Sequence, residues 1–341
     1  MSEVGSGAIS KRFRLPALSG PVLGLVLVVS LFVVLISAKG GTREALRFVG
    51  PRNWQSIVHE ATVFGVLALG MLMVIISGGI DLSVGSVVGL VMVVTMQIYR
   101  SSFEASGSMV QATLLAVPAG ILVGGLCGFV NGLVITQLNV APFVATLGMM
   151  GIARGLAFAI TRTSIAYPAG GWPPWFSEFA IVHSDYFFNP GFWILLLLAL
   201  GVYVLLHYTA LGRYCYAIGS NESAARLCGV PIEKCKLKIY TLAGILTGWA
   251  GVLMFMRLQS GEPQGGREME LLVIAAVVVG GASLSGGQGT VIGTLIGVLI
   301  LEILKNGVDN FEVPVEMRYI LIGLIIIGNT ALSQWQQPQQ K

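Results

Sequence analysis

The chain has 341 residues, of which 55% are hydrophobic and only 11% are charged, and its mean hydropathy is +0.83. A water-soluble globule of this length needs more polar surface than such a composition supplies. The net charge of +4 includes no basic cluster of the kind that binds nucleic acid. The sequence therefore predicts an all-α, polytopic integral membrane protein without a nucleic-acid partner.

Apolar runs of about bilayer length recur along the chain and predict about ten transmembrane helices in a single domain at 20–333. The runs lie near 20–38, 57–77, 82–99, 110–135, 141–160, 191–208, 237–257, 270–282, 290–304 and 317–333. Basic residues before the first run place a tail at 1–19, and with it a tail at 334–341, in the cytoplasm. The run at 270–282 is short and the run at 141–160 carries Arg154, so either is a candidate half-helix or re-entrant element.

Two similar glycine-rich segments interrupt these runs: GGIDLSVGS at 78–86, here named the first break, and GGASLSGG at 280–287, the second break. Non-helical backbone at membrane depth survives only where it is buried in protein or lines a watery cavity. Paired breaks are typical of a transport path and of an internally duplicated transporter. The residues predicted to line this path are Gly79, Asp81, Ser83, Asn131, Ser283 and Ser285.

The ionisable residue in the first break, Asp81, has two interpretations. Its carboxylate either caps the helix that begins near Leu82 or lines the path, and the two roles are compatible. The second break has Ser283 in the corresponding place, so the turn itself does not require a charge.

Motifs that would indicate an enzyme are incomplete. LSGGQ at 284–288 spells the signature of ATP-binding-cassette ATPases, but the chain has no Gly-Lys dipeptide and hence no P-loop. His59 and Glu60 begin an HExxH motif that Val63 leaves unfinished, and the four cysteines lack zinc-like spacing. We therefore interpret LSGGQ as a glycine turn and predict no catalytic residue, metal or cofactor in this chain.

Glycines also recur every four residues, which places them on one face of a helix and predicts close helix packing in lipid. The two sets are Gly120, Gly124, Gly128 and Gly132, and Gly289, Gly293 and Gly297. The outward loop 161–190 is rich in Trp, Phe and Tyr, which fits an interfacial aromatic belt or a docking surface for an external protein.

The basic loop at 209–236 falls in the cytoplasm by the count of crossings, in agreement with the positive-inside bias. It predicts a short helix at 222–228, with Asn221 as its N-cap and Gly229 at its end. Its small and apolar side chains, Ala224, Ala225 and Leu227, fit insertion into a partner's cleft. The loop at 39–56 is also basic but falls outside by the same count, against that bias.

At these residues the chain resembles the permease subunits of bacterial ATP-binding-cassette importers for ribose, galactose and xylose, which are related to branched-chain amino acid permeases. The resemblance covers about 55–330 and rests on four segments. These are GGIDLSVGS at 78–86, NGLVIT with LNVAPFVATLGMMGIARG at 131–155, GRYCYAIGSNESAARLCGV at 212–230 and IAAVVVGGASLSGG at 274–287.

The resemblance implies a multi-pass permease of the bacterial inner membrane that pairs with itself or a sister permease. It also implies cytoplasmic ATPase subunits that bind the ATP, and a solute-binding protein outside. The loop that resembles GxNxxAARxxGI would be the coupling helix that docks on the ATPase. Matched positions assign that role to Gly219, Asn221, Ala224, Ala225, Arg226 and Gly229.

The implied solute is a small polar molecule, most simply a monosaccharide. Where the family often has Glu-Leu-Asp, this chain has Glu270, Leu271 and Leu272. This departure leaves nucleosides, inositol or a sugar-derived signalling molecule as alternative solutes. The broken helices alone would equally suit a secondary transporter driven by an ion gradient, and only the coupling loop argues against that class.

Overall fold

The computed structural model describes residues 19–162, 164–167, 171–180 and 188–310, together with positions 320 and 323. The predicted tails, except Ser19, and the run at 317–333, except positions 320 and 323, lie outside the described residues. The described part is helical, and its extended pairing is a single antiparallel bridge between Ala166 and Gly261.

Eight helices within the described residues are long and apolar enough to cross a membrane. The helices are α1 (Ser19–Gly40), α2 (Thr42–Phe48), α3 (Pro51–Ile76), α4 (Val84–Ser106), α5 (Met109–Gln137), α6 (Pro142–Thr161), α7 (Ser177–Ala180), α8 (Pro190–Tyr208), α9 (Ala210–Ser220), α10 (Glu222–Leu227), α11 (Ile232–Leu258), α12 (Met269–Val279) and α13 (Val291–Asp309). The all-α, multi-pass prediction is therefore confirmed. Each of the nine predicted runs that fall on the described residues coincides with a helix.

Helix starts follow local signals in the sequence. Pro51, Pro142 and Pro190 each open a helix at its first turn, where the missing N–H has no intrahelical partner to lose. The side chains of Ser108 and Thr290 accept hydrogen bonds from the first turns of α5 and α13.

The helix at the centre of the fold is α11, which packs most extensively on α5 and also on α3 and α4. Glycine makes the α5–α11 contact possible: a Cβ at Gly124 would stand 2.5 Å from the Gly244 oxygen and the Gly248 nitrogen. The predicted packing role of the α5 glycine stripe is thus confirmed. A Cβ at Gly293 or Gly297 would likewise collide with backbone at the α12–α13 contact.

The run at 270–282 forms the short helix α12, while α6 is full length. With 11 residues, α12 is about 16 Å long and cannot cross a hydrocarbon core of about 30 Å. The first break differs, because it joins the two long helices α3 and α4. Of the two breaks, therefore, only the second is preceded by a helix too short to cross the membrane.

Candidate functional site

The first break is organised by Asp81, which is 4% exposed. Its Oδ1 accepts hydrogen bonds from the Ser83 backbone N–H at 2.8 Å and from the Ser83 hydroxyl at 2.6 Å. This is an Asx turn, and α4 begins only at Val84 with Ser83 as its N-cap residue. Of the two interpretations of Asp81, capping takes a modified form, because the carboxylate bonds Ser83, the N-cap residue, and not an N–H group within α4.

Asn131 of α5 joins this cluster, since its Nδ2 donates to the Ser83 hydroxyl at 3.0 Å. Four of the six predicted path residues are therefore buried in or beside one turn: Gly79, Asp81, Ser83 and Asn131. The cluster is thus a compact polar site between the ends of two spanning helices.

The second break repeats the same local geometry without the charge. The Ser285 backbone N–H donates to the Ser283 hydroxyl at 3.3 Å, and the two hydroxyls lie 2.7 Å apart. Gly286 and Gly287 both have positive φ, as the interpretation of LSGGQ as a glycine turn requires. Ser285 is exposed and Ser283 half-buried, so these two predicted path residues face outward whereas the first four are enclosed.

The second break touches the end of α3, just before the first break, and both touch α9. The Gly287 N–H donates to the carbonyl oxygen of Ile76, the last residue of α3, at 2.9 Å. Gly219 of α9 lies against both groups: a Cβ there would overlap the Ile76 oxygen and stand 2.5 Å from the Gly287 nitrogen. We name Ile76, Gly219 and Gly287 the three-way junction.

Further contacts fasten α9 to the same two segments. The Tyr216 hydroxyl donates to the Gly289 carbonyl at 2.8 Å, and the Cys215 thiol donates to the Met73 carbonyl at 3.3 Å. Residues from one face of α9 therefore hold the end of α3 and the glycine turn together.

Beyond α9, the predicted short helix is present as α10. Asn221 caps it by accepting a hydrogen bond from the Ala224 N–H at 2.9 Å, and Gly229, at φ 79°, follows its end. The predicted start is confirmed, and α10 ends at Leu227, one residue before the predicted end at Cys228. Two ion pairs tie α10 to α11: Arg226–Glu233 and Glu222–Lys236, each at 2.7 Å.

The exposed face of α10 differs from the predicted one at Ala225. This residue is buried against Ile218, Ile232 and Cys235, so it packs within the chain and is not available to a partner's cleft. Leu227, by contrast, is 89% exposed, and Ala224 is exposed as well. A six-residue helix shows too little periodicity to assign its buried side from sequence.

The aromatic residues of the outer loop only partly fit the predicted interfacial belt or docking surface. Trp172 and Phe176 pack on Tyr99 and Phe255, at centroid distances of 5.5–6.0 Å, and form part of the protein interior. Trp175 and Phe188 remain exposed. The predicted aromatics Tyr186 and Phe187 lie outside the described residues.

Charged residues within the spans are mostly paired. Arg257 bonds Glu60, and Glu302 accepts from Lys305 at 3.1 Å. Arg154 of α6 donates instead to two backbone carbonyls, of Pro263 at 2.7 Å and Gly265 at 3.4 Å. Sequence reasoning missed the segment that carries these carbonyls, because ten mainly polar residues between apolar runs resemble an ordinary solvent loop.

Comparison with known proteins places this chain among permeases. Residues 53–329 match the family model described as the branched-chain amino acid transport system permease component. The chain is 38% identical to the ribose import permease of Bacillus subtilis over 312 residues, which cover 90% of each protein. It is 32% identical to the fructose import permease of Bifidobacterium longum over 94% of this chain and 92% of that protein. It is 30% identical to the L-arabinose ABC transporter permease of Azospirillum brasilense, over 92% of this chain and 88% of that protein. No solved structure matches the chain.

Proposed function

This chain belongs to the permease family of branched-chain amino acid transport systems, within its group of ABC sugar import permeases, and from that premise we propose that it carries a monosaccharide through the bacterial inner membrane. The named solutes of three relatives are ribose, fructose and L-arabinose, all neutral and polyhydroxylated. The chain itself is a transport permease and not an enzyme. This chain has Leu272 where the family often has Asp, and this difference leaves the choice among such solutes open.

The proposed path passes the two breaks. Asp81, Ser83 and Asn131 offer a carboxylate, a hydroxyl and an amide in one hydrogen-bonded cluster, and Ser283 and Ser285 offer two hydroxyls at the second break. These groups suit a solute that both donates and accepts hydrogen bonds. Gly79 belongs to this path through its place in the first break.

The proposed drive comes from a cytoplasmic ATPase that docks on α10. Movement of α10 would pass to α9 through Asn221, and from the C-terminal end of α9 to both breaks through the three-way junction. This junction is the single observation that carries the proposal, because in it α9, which leads into α10, meets the second break and the end of α3 before the first break by direct backbone contact. In this proposal the Arg226–Glu233 ion pair holds α10 on α11, and the buried side chain of Ala225 packs α10 against the rest of the chain. Gly229 follows the end of α10.

The proposed assembly contains this permease, a second permease identical to it or a sister chain, the ATPase and an external solute-binding protein. The two breaks would then change shape together during alternating access. Their shared side-chain turns support an internal duplication, which we propose as the origin of the second break.

Substitution of Leu227 by Glu tests the docking surface. We expect Leu227→Glu to reduce co-purification of the ATPase by about tenfold or more, because a charge would replace an exposed apolar contact at an interface. Uptake of labelled D-ribose by cells that hold the whole importer is expected to fall equally. The melting temperature of the permease should not change, since Leu227 is 89% exposed.

The matched control is Leu46→Glu, which changes a leucine of similar exposure, 68%, on α2. ATPase that co-purifies with the Leu227→Glu variant as fully as with the Leu46→Glu variant would show that α10 is not the docking helix.

A further inference from the structure

A non-helical segment packs alongside the N-terminal half of α4. It consists of residues 259–268, between α11 and α12. A Cβ at Gly261 would contact Met96 and Val93, and one at Gly265 would contact Met92. Further along, Pro263 and Gly265 abut Gly89, and Gly266 abuts Gly85. We name 259–268 the inner segment.

The inner segment reaches the middle of the membrane domain. Each step along it meets a residue one turn closer to the start of α4, which is itself a candidate span. The helix that follows, α12, begins near mid-depth, because its Leu272 lines the same small cavity as Phe64, which lies halfway along α3. Non-helical backbone therefore lies where a bilayer core surrounds the domain.

The backbone polar groups of the inner segment are largely satisfied within the protein. Gly261 pairs with Ala166 through two hydrogen bonds of 2.9 and 3.0 Å. Local turns bond the N–H groups of Gly265 and Arg267, and Arg154 bonds the carbonyls of Pro263 and Gly265. The backbone of this segment is therefore held in place by its own protomer.

Three polar side chains of the inner segment, unlike its backbone groups, are exposed on the surface of the protomer. Gln264 is exposed, and the Arg267 and Glu268 side chains, which lie 3.8 Å apart, are 70% and 56% exposed. Ionisable side chains at this depth are costly in hydrocarbon and almost always face a bundle interior or a water-filled cavity. The exposed face of the inner segment must therefore meet water or other polar groups in the assembled importer.

We propose that the inner segment lines the solute path and binds the hydroxyl groups of a neutral polyhydroxylated solute through Gln264, Arg267 and Glu268. This inference rests on the proposed function, and it adds a binding surface to the path assigned from the two breaks. The amide, guanidinium and carboxylate supply both donors and acceptors in planar groups, as a ring of hydroxyls requires.

The inner segment also connects to the first break. Glu270, in the first turn of α12, has a buried Oε2 without a hydrogen-bond partner among the described residues, and this atom lies where a Cβ of Gly85 would stand. Gly85 is two residues from Ser83. Buried polar groups thus lie between the exposed side chains of Arg267 and Glu268 and the enclosed Asp81 cluster, along the start of α4.

The water exposure of this surface is tested by thiol labelling in the complete importer. The parent carries Cys228→Ser, which removes the exposed cysteine. Into it we place Gln264→Cys or, as the matched control, Leu122→Cys, an apolar position near the middle of α5 that is 65% exposed. A charged, membrane-impermeant thiosulfonate is expected to modify Gln264→Cys about tenfold faster or more, because the charged reagent is excluded from hydrocarbon. Equal rates at the two positions would overturn the proposal, including the case in which a second permease copy covers Gln264.

The binding role is tested by Arg267→Gln and Glu268→Gln. Each is expected to lower uptake of labelled D-ribose, or of D-fructose if that is the sugar transported, by about tenfold or more, as loss of a charge-assisted hydrogen bond implies. ATPase co-purification is expected to stay at the parent level. The control variants Arg100→Gln and Glu104→Gln remove an exposed ion pair of 2.8 Å on the far end of α4 and should leave uptake unchanged.

The two proposals fail in distinguishable ways. A parent importer that takes up none of labelled D-ribose, D-fructose and L-arabinose in an ATP-dependent manner would refute the proposed monosaccharide transport, whatever the labelling rates. A parent that transports sugar, with Arg267→Gln and Glu268→Gln at the parent rate, would refute the inner segment as a binding surface and leave the proposed function standing.

Discussion

Asp81 holds its turn with one carboxylate oxygen, since Oδ1 accepts both hydrogen bonds from Ser83. An amide oxygen can accept the same two bonds. Structural and transport roles of this residue are therefore separable by a substitution that removes only the charge.

We expect Asp81→Asn to keep the melting temperature of the permease while it lowers sugar uptake, because the turn survives and the carboxylate of the proposed path is lost. Asp81→Ala is the comparison: it leaves the buried Ser83 donors without their acceptor and is expected to cost about 1–3 kcal/mol of folding free energy. Thermal unfolding in detergent and uptake in cells measure the two effects. Uptake by Asp81→Asn at the parent rate would mean that Asp81 serves only the turn.

Single-residue predictions from the sequence were accurate where chemistry is local. Asn221 and Gly229 were identified as helix boundaries because capping and positive φ depend on the adjacent backbone. Ala225 was assigned to the wrong side because its burial depends on Ile218 and Ile232, which reach it through the fold. The Asx turn of Asp81 was missed because Asp81 and Ser83 are both favoured N-cap residue types, so the sequence alone does not decide which of them immediately precedes α4.

At the scale of elements, α9 connects the proposed docking helix α10 with the proposed path. Gly219 has no room for a side chain, since the atoms facing it are the Ile76 oxygen and Gly287 nitrogen of the backbone. Backbone cannot move aside as the end of a flexible side chain does. A methyl group at this position must therefore separate the segments that meet at the junction.

Gly219→Ala is expected to cost about 1–3 kcal/mol of folding free energy by overpacking and to abolish most sugar uptake. ATPase binding should persist, because Leu227 and the capping of α10 are untouched, so ATP hydrolysis would continue without transport. Gly201→Ala on α8, where a Cβ meets nothing within 4 Å, is the matched control. A Gly219→Ala importer with normal coupling of hydrolysis to uptake would rule out transmission through the junction.

The sequence predicted most elements because membrane spans are encoded by composition over about twenty residues. It did not reveal the inner segment, since hydropathy records what a residue is and not how deep it lies. Gly261, Gly265 and Gly266 are informative only once α4 is known to lie against them. The short length of α12 was visible in the sequence, but its partners were not.

For the whole molecule, the structure fixes how the two basic regions are arranged across the membrane. α3 is about 39 Å long, and its end at Ile76 lies against α9. The start of α3, with α2 before it, must then lie on the opposite membrane face from α9 and α10. The two basic loops therefore cannot both be cytoplasmic, and in the proposed assembly, where α10 docks on a cytoplasmic ATPase, the loop at 39–56 is the exception to the positive-inside bias.

Orientation is testable with single cysteines in the Cys228→Ser parent. An impermeant maleimide is expected to label Arg43→Cys in intact cells from which the outer barrier has been removed, and Ser223→Cys only in inverted membrane vesicles. Both positions are exposed, so access depends on the membrane face alone. Labelling of both residues from the same face would contradict the single crossing of α3.

The bond from Gly287 to Ile76 also constrains how the protein is made. Ribosomes deliver α3 to the membrane long before the glycine turn that completes its end has been synthesised. Until α12 and the turn that follows it are made, the Ile76 carbonyl at the end of α3 lacks the hydrogen-bond partner that it has in the finished protein. We therefore expect nascent chains that stop before α12 to leave the end of α3 without this contact.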